Sequence, residues 1–169
     1  MIKAIIYNSN TGFSKQYAYN FALNTGLPIY NIKDVKKKLN KGDKIIYFSW
    51  IMAGSIVGLK KLKDYDIAYA CACGLFFYSE ELIEDLKKKN NIENIYYLQG
   101  GIRWRELKIS QRMMVKMVLS DFKRRNKKNL LSEEDKIILD RLNYGYENID
   151  LKSLDVLINW YKEQKNLVS

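Results

Sequence analysis

Residues 2–15 read IKAIIYNSNTGFSK, and this stretch decides the fold expected for the chain. Its first part, residues 2–7, is a short apolar run rich in Ile, which is typical of a buried strand. Its second part, residues 9–15, contains three hydroxyl side chains, an amide and a glycine. The next residues carry apolar side chains at helical spacing, up to Asn24. We therefore predict a strand, a polar loop and a helix in direct succession.

The polar loop has the composition of an anion-binding loop. The first N–H groups of a helix lack intrahelical partners, and the helix dipole favours negative charge there. The hydroxyls of Ser9, Thr11 and Ser14 and the amide of Asn10 add enough polar groups to hold a phosphate without a dedicated cation. The spacing matches neither a Walker A loop nor a GxGxxG fingerprint. An ordinary N-cap is the alternative, but a cap accounts for one hydroxyl and not for three.

The rest of the sequence alternates strand-like and helix-like segments. Further strands are predicted at 27–32, 43–50, 67–73 and 95–98, a polar connection at 36–41, and helices at 54–63, 79–90, 109–124, 132–142 and 151–165. This alternation predicts a parallel sheet with helices on both faces. Pro28 donates no ladder hydrogen bond, so the second strand should lie at a sheet edge. The expected fold is α/β, a doubly wound five-stranded parallel sheet of order 2-1-3-4-5 with a helical C-terminal extension.

Length and composition narrow the function classes. The 169 residues predict one domain, 1–169, of which 125–169 form a helical C-terminal part. The chain has no His, which excludes His-based catalytic triads and most zinc sites. Its two cysteines cannot build a disulfide framework, no apolar run is long enough to span a membrane, and no signal peptide is expected. The cytoplasm is therefore the expected location.

The chain is strongly basic, with 29 Lys and Arg against 19 Asp and Glu and a net charge of +10. Such an excess suits an acidic protein partner, an anionic membrane surface or nucleic acid, and it also suits a simple solubilising surface. The basic run 123–128 contains no interleaved aromatic residues. Nucleic-acid binding is therefore not expected.

Two further loops lie where a ligand should bind. In the 2-1-3-4-5 order the winding direction switches between the first and third strands, and ligands bind beyond the carboxyl ends of strands at such a point. The loop after the third strand, SWIMAGS, offers the aromatic face of Trp50 to a planar ring and small residues that let the backbone approach. The alternative role of Trp50 is to cover the core. In the loop after the fourth strand, Phe76, Phe77 or Tyr78 is a candidate for the other side of the ring, although at least two of them are expected to pack against helices.

Three other features bear on the expected pocket and its surroundings. Cys71 and Cys73 are two residues apart in a strand, so they share a face and are expected to be buried, inert thiols. Arg103 lies beside the expected pocket, where it either pairs with an anionic ligand group or forms an ordinary salt bridge. One helix carries the residues Met113, Met114, Met117, Val118 and Phe122. Core packing is expected for them, and a flexible apolar lip for a quinone or porphyrin is the alternative.

Residues 9–14 resemble the phosphate loop of flavodoxins, (S/T)-x-T-G-x-(S/T), and they stand after the first strand as in that family. Residues 49–55 resemble the second flavin-binding loop, and residues 72–78 occupy the place of the third, so the resemblance spans residues 1–120. A narrower similarity links residues 98–118 to the flavodoxin-like menaquinone-dependent protoporphyrinogen dehydrogenases. In those proteins a Gly–small–apolar–Arg–aromatic stretch precedes a basic, Met-containing helix.

This resemblance implies FMN as the cofactor. It implies phosphate contacts from Ser9, Asn10, Thr11, Gly12, Phe13 and Ser14, and ring contacts from Ser49, Trp50, Ile51, Met52, Ala53, Gly54, Cys73, Gly74 and Leu75. It implies neither catalytic side chains nor a metal, because the flavin carries the chemistry.

The expected function is electron transfer or oxidoreduction through the bound flavin, with a redox partner protein or a quinone-like small molecule. Flavodoxin electron carriers are acidic and this chain is basic, which favours the dehydrogenase-like branch. One alternative is therefore a quinone-linked protoporphyrinogen dehydrogenase-like enzyme. An alternative of another class is a basic α/β binding module for an acidic partner, without flavin. Peripheral contact with an anionic membrane is a further expectation.

Overall fold

The structure is a computed structural model that describes residues 1–167. Its strands are β1 (Ile2–Tyr7), β2 (Ile29–Asn31), β3 (Lys44–Met52), β4 (Ser55–Ile56), β5 (Asp66–Gly74) and β6 (Ile95–Gln99). Its helices are α1 (Phe13–Thr25), α2 (Val35–Lys38), α3 (Glu80–Asn90), α4 (Ile109–Lys127), α5 (Glu133–Tyr144) and α6 (Asp155–Asn166). Short 3-10 turns occupy Leu59–Leu62, Trp104–Glu106 and Leu151–Leu154. The last two residues of the predicted helical part 125–169 lie outside the described residues.

Five strands form a parallel sheet of order β2-β1-β3-β5-β6. Because β5 and β6 are the fourth and fifth strands of the prediction, this order confirms the predicted 2-1-3-4-5 arrangement of the flavodoxin-like fold. The edge position of β2 is also confirmed. Pro28 lies just before this strand, and its carbonyl accepts a hydrogen bond from the N–H of Ile5 at 2.9 Å. The winding direction therefore switches between β1 and β3, as expected.

The predicted helix at 54–63 is wrong. Ala53 and Gly54 have φ values of 47° and 73°, and two consecutive positive φ values form the tight turn that suits a two-residue hairpin. The chain therefore reverses and forms β4, which pairs antiparallel with the end of β3 and adds a sixth strand to the sheet. A 3-10 turn follows in place of the helix.

Smaller differences concern the segments around β2. The second strand covers three residues, Ile29–Asn31, rather than the predicted 27–32. The segment 36–41, predicted as a polar connection, includes most of the single helical turn α2. Val35 at the start of this turn is buried and packs under the sheet. One apolar residue is thus sufficient to fold an otherwise basic connection onto the core.

The sheet is covered on both faces. Helices α1 and α6 cover one face, where Tyr17, Phe21 and Tyr161 pack against the apolar side chains of the central strands. The other face is covered by α2, the turn at Leu59–Leu62 and the segment that leads into β6. Cys71 and Cys73 are buried on the α1 side. Their predicted common face is confirmed.

Helices α4 and α5 form a separate apolar cluster, which we call the helical pair cluster. It contains Phe122, Ile138 and Leu142, with Phe77 and Trp104 packed against it. The helical pair is inserted between β6 and α6, and an isolated bridge between Ile102 and Tyr146 closes the insertion at its base. The two residues exchange backbone hydrogen bonds of 2.7 and 3.0 Å. Among the helices of residues 1–167, none has the length and apolar character needed to cross a membrane.

Candidate functional site

The loop between β1 and α1 presents the start of a helix to the carboxyl edge of the sheet. Gly12 has a φ of 90° and precedes the first helical residue, Phe13. The Ser9 hydroxyl oxygen accepts a hydrogen bond from the Gly12 N–H at 3.1 Å, so this hydroxyl shapes the loop itself. The next N–H groups have no intrahelical partners because they belong to the first turn. The first turn also contains no acidic residue. The positive end of the helix dipole, at the N-terminus of α1, is therefore not compensated by a side chain of that turn.

Two side chains from the C-terminal half hold this loop. The Arg103 guanidinium donates to the carbonyl of Thr11 at 2.7 Å and lies 4.5 Å from the centre of the Phe13 ring. It also donates to the Glu147 carboxylate at 2.8 Å. This hydrogen bond lowers the pKa of Glu147 and raises that of Arg103. Of the two roles considered for Arg103, the structure shows the salt bridge, together with an unpredicted role as a clamp on the loop.

A second contact, a side-chain hydrogen bond, joins the loop to α4. The Asn10 side-chain amide donates to the Gln111 side-chain oxygen at 2.8 Å. The same oxygen accepts from the N–H of Lys108 at 2.9 Å, at the start of α4. The position of the loop is thus coupled to the start of the helical pair.

The loops after β1, β3 and β5 surround one cavity of about 380 Å³, together with α4. This volume is within the range of about 300–1,000 Å³ that holds small-molecule ligands and cofactors. Twelve of the predicted site residues line it: Ser9, Asn10, Thr11, Phe13, Ser14, Trp50, Ile51, Met52, Ala53, Cys73, Gly74 and Leu75. The second and third loops meet directly, because Trp50 and Cys73 are register partners in the sheet.

The other three predicted residues do not line the cavity. Gly12 belongs to the loop, and its Cα faces Arg103: a Cβ added there would lie 3.1 Å from a guanidinium nitrogen of Arg103. Ser49 is fully buried, and its hydroxyl donates to the carbonyl of Val57 at 2.7 Å, because its side chain alternates away from that of Trp50 along the strand. Gly54 lies in the hairpin turn beside Lys89.

Ser14, one of the predicted phosphate-loop residues, carries a buried hydroxyl without a hydrogen-bond partner among the described residues. Its side chain lines the cavity and is 1% exposed. Its hydroxyl is the one buried side-chain polar atom within residues 1–167 that has no hydrogen-bond partner. A buried polar group without a partner costs about 1–3 kcal/mol, so it marks a place where a bound polar group would be stabilised.

The thiol of Cys73 lies on the same wall of the cavity. Burial raises its pKa to about 12, and the nearby Ser14 hydroxyl opposes this rise without forming a geometric hydrogen bond. Burial also raises the pKa of Cys71 well above its ordinary value of 9.0. Both thiols are therefore protonated and unreactive at neutral pH, as the sequence predicted.

The raised pKa of Cys73 predicts a loss of stability at alkaline pH. The unfolded thiol ionises near 9.0 and the folded one near 12, so between these pH values the folded protein keeps a proton that the unfolded chain releases. The free energy of unfolding should then fall by up to about 1.4 kcal/mol per pH unit for this group. Denaturant unfolding across this pH range measures the slope, and the Cys73→Ala variant should show a shallower one. An identical slope in both proteins would contradict the assignment of this alkaline loss of stability to the Cys73 thiol.

The three aromatic residues after β5 take different roles. Phe77 belongs to the helical pair cluster and lies under the Arg141 guanidinium at 4.5 Å. Phe76 lines the cavity and packs against Phe122, with ring centres 6.4 Å apart. Tyr78 is 66% exposed. Two of the three thus pack against the helical pair, as expected, and Phe76 is a wall residue that was considered but not included in the predicted site.

The residues that the sequence did not assign to the site come mainly from α4 and its approach. They are Phe76, Gly100, Gly101, Ile102, Leu107, Gln111, Met114, Val115, Met117, Val118 and Leu142. The core-packing prediction is confirmed for Phe122 but wrong for Met113, Met117 and Val118, which are 62%, 73% and 40% exposed. The signal was present in the sequence, since the core stripe of this helix, Val115, Leu119 and Phe122, does not share a face with Met113 and Met117.

Within the described part of the chain, no cluster of His, Cys, Asp or Glu side chains has the arrangement of a metal site. The cavity is lined by hydroxyls and by apolar side chains beside the first N–H groups of α1, and this lining suits an organic ligand with an anionic end.

No family model matches the sequence, and no curated protein matches it. Among solved structures, the chain is similar to an archaeal protein described as "Structure of a flavodoxin from the domain Archaea". The two are 16% identical, the alignment covers 71% of this chain and 98% of the other, and the TM-score is 0.39. The flavodoxin-like fold of this chain rests on its own strand order.

Proposed function

We propose that this protein binds FMN and serves in electron transfer or oxidoreduction through the bound flavin. One observation carries the proposal: the loops after β1, β3 and β5 surround a single cavity at the point where the winding direction switches. In this fold that point is where ligands bind. The sequence resemblance of residues 9–14 to a flavin phosphate loop favours FMN as the ligand of this cavity.

The residues that line the cavity include groups suited to both parts of FMN. The partnerless Ser14 hydroxyl and the first N–H groups of α1 suit a phosphate. Thr11 and Asn10 line the same cavity and add a hydroxyl and an amide. Trp50, Met52 and Leu75 provide apolar walls for a planar ring. The cavity thus combines polar groups with apolar surface, as an anionic cofactor with a planar ring requires.

When bound, FMN supplies the capacity to take up and release electrons or hydride. The residues of the chain bind and orient it, exclude water and set its electrostatic environment. Arg103 fixes the backbone of the phosphate loop at Thr11, and Gln111 fixes the side chain of Asn10. These two ties hold the loop in one geometry before any ligand arrives, which reduces the ordering cost of binding.

A quinone-linked dehydrogenase is the second candidate, and the position of α4 favours it. Met114, Met117 and Val118 of α4 line the cavity. Apolar side chains at that position suit an apolar acceptor next to the ring better than a charged one. Turnover of a small water-soluble quinone by the protein alone would support the enzyme, whereas a requirement for a second protein would support a carrier with a redox partner.

The test of flavin binding is a titration of the purified protein with FMN. We expect visible flavin bands to remain with the protein through gel filtration. The Thr11→Ala, Trp50→Ala double variant should bind FMN about 100-fold more weakly, because it removes one phosphate hydrogen bond and one aromatic wall. The matched control is Tyr144→Ala, which removes an aromatic side chain that is 85% exposed and outside the cavity.

Two outcomes of this titration would contradict the proposal. A folded protein that ignores added FMN would overturn the proposal and leave the basic α/β binding module for an acidic partner. Equal affinity of the double variant and the wild type would show that FMN binds elsewhere.

A further inference from the structure

The positive charge of the chain is concentrated in one segment. Residues 103–128 contain ten Lys and Arg residues and two acidic ones, which is a net charge of +8 out of the +10 of the whole sequence. This segment comprises the approach to α4 and the helix itself. The remainder of the chain has a net charge of only +2, so most of the net positive charge of the protein lies on this segment.

The same helix carries an exposed apolar stripe, which we define as Ile109, Met113 and Met117. These residues are spaced four apart, so they lie above one another on one face. They are 79%, 62% and 73% exposed. Scattered exposed apolar residues are common on protein surfaces, but a stripe along one face of a basic helix is a feature of interfacial helices.

A shallow basic groove lies beside the stripe on α4. It is lined by Lys116, Leu119, Ser120, Lys123, Arg124 and Lys127. Arg124 is paired with Asp121 at the surface. The groove combines several donors with an apolar floor, and this combination fits an anionic headgroup attached to an acyl chain.

We propose that α4 docks this protein on the surface of an anionic lipid bilayer. The exposed apolar stripe would insert between the headgroups, and the flanking cations, among them Arg112, Lys116 and Lys123, would contact the lipid phosphates. Long apolar side chains and cations that alternate along a helix are the arrangement that binds bilayer interfaces. Nucleic acid would not use the stripe, and a second copy of the chain would bring two segments of charge +8 together.

The docked orientation has a defined relation to the cavity. Met117 belongs to the exposed apolar stripe and also lines the cavity. Docking by the stripe therefore places the cavity mouth at the bilayer surface. The docking itself depends on α4 alone and does not require that the cavity hold FMN.

The test is co-sedimentation of the protein with lipid vesicles. Vesicles of phosphatidylglycerol and phosphatidylcholine in equal parts should bind the protein, and vesicles of phosphatidylcholine alone should not. The triple variant Ile109→Ser, Met113→Ser, Met117→Ser should bind about tenfold more weakly without loss of folding, because all three side chains are exposed. The double variant Lys116→Glu, Lys123→Glu should lose at least about tenfold in binding.

The matched control is Lys36→Glu, Lys37→Glu, which makes the same change of net charge on α2, away from α4. This control should bind nearly as well as the wild type. Equal losses in both charge variants would show a non-specific effect of net charge and would overturn the proposal. Full binding by the triple serine variant would overturn the insertion of the stripe, and absence of binding to anionic vesicles would overturn the docking altogether. Circular dichroism of each variant confirms that the fold is retained.

Discussion

Replacing Gly101 with alanine should destabilise the protein by about 3 kcal/mol or more, because the added Cβ has no space. It would lie 1.9 Å from the carbonyl oxygen of Tyr146 and 2.9 Å from the tip of the Phe13 ring. The backbone oxygen cannot move away without breaking the bridge between Ile102 and Tyr146 that closes the helical pair. Denaturant unfolding measures the loss. In the proposed flavin site, the displacement of Phe13, which lines the cavity, should also weaken the binding of FMN.

The neighbouring glycine provides the control. At Gly100 an added Cβ would lie 3.6 Å from the Gly74 carbonyl oxygen and 3.7 Å from Phe13, which are ordinary contacts. Neither glycine has a positive φ, so backbone strain does not distinguish them. Gly100→Ala should therefore change the free energy of unfolding by less than about 1 kcal/mol. Similar effects at the two positions would contradict the tight packing assigned to Gly101.

Replacing Phe21 with alanine should cost about 3–5 kcal/mol, the range for a large aromatic side chain removed from a core. Phe21 is fully buried in α1 and lies between Phe48 of β3 and Tyr161 of α6, with ring centres 5.6 and 6.1 Å away. Its removal leaves a cavity between the sheet and both helices of this face. Thermal and denaturant unfolding measure the effect.

Leu23 on the same helix is the matched control, because it is also a large apolar residue but is 83% exposed. Leu23→Ala should change the free energy of unfolding by less than about 0.5 kcal/mol. A loss at Leu23 comparable to that at Phe21 would contradict the assignment of the cost at Phe21 to the burial of its side chain, because alanine is an even better helix former than leucine.

The sheet could be predicted from the sequence because each strand is a local apolar run that is bounded by polar or turn-forming residues. The Ile-rich run of β1 and the edge signal of Pro28 were sufficient to place the first two strands. The hairpin of β3 and β4 was missed because it depends on the backbone conformation of Ala53. Alanine rarely adopts a positive φ, and composition gives no sign of it. The bend was therefore interpreted as the start of a helix.

The residues of the candidate site also differ in whether local sequence patterns are sufficient to predict them. The residues of the three loops follow strands that the sequence identifies, and twelve of the fifteen line the cavity. Ser49 was included with its neighbours although the strand pleat turns it to the opposite face. The sequence offered the α4 wall only as the alternative of an apolar lip, because the contacts that bring α4 to the cavity join residues far apart in the sequence. The hydrogen bond from Asn10 to Gln111, for example, joins positions 101 residues apart.

The bridge between Ile102 and Tyr146 also has a consequence for the kinetics of folding. The N–H of Asp150 donates to the Tyr17 hydroxyl across 133 residues of sequence, and closure of so long a loop slows folding through its entropy. The bridge joins the two ends of the helical pair. Once the helical pair has folded on its own cluster, the 43 residues between the bridge partners, 103–145, no longer contribute to the loop that α6 must close. The insertion thus lengthens the chain between α1 and α6 without a matching increase in the effective contact order of the sheet.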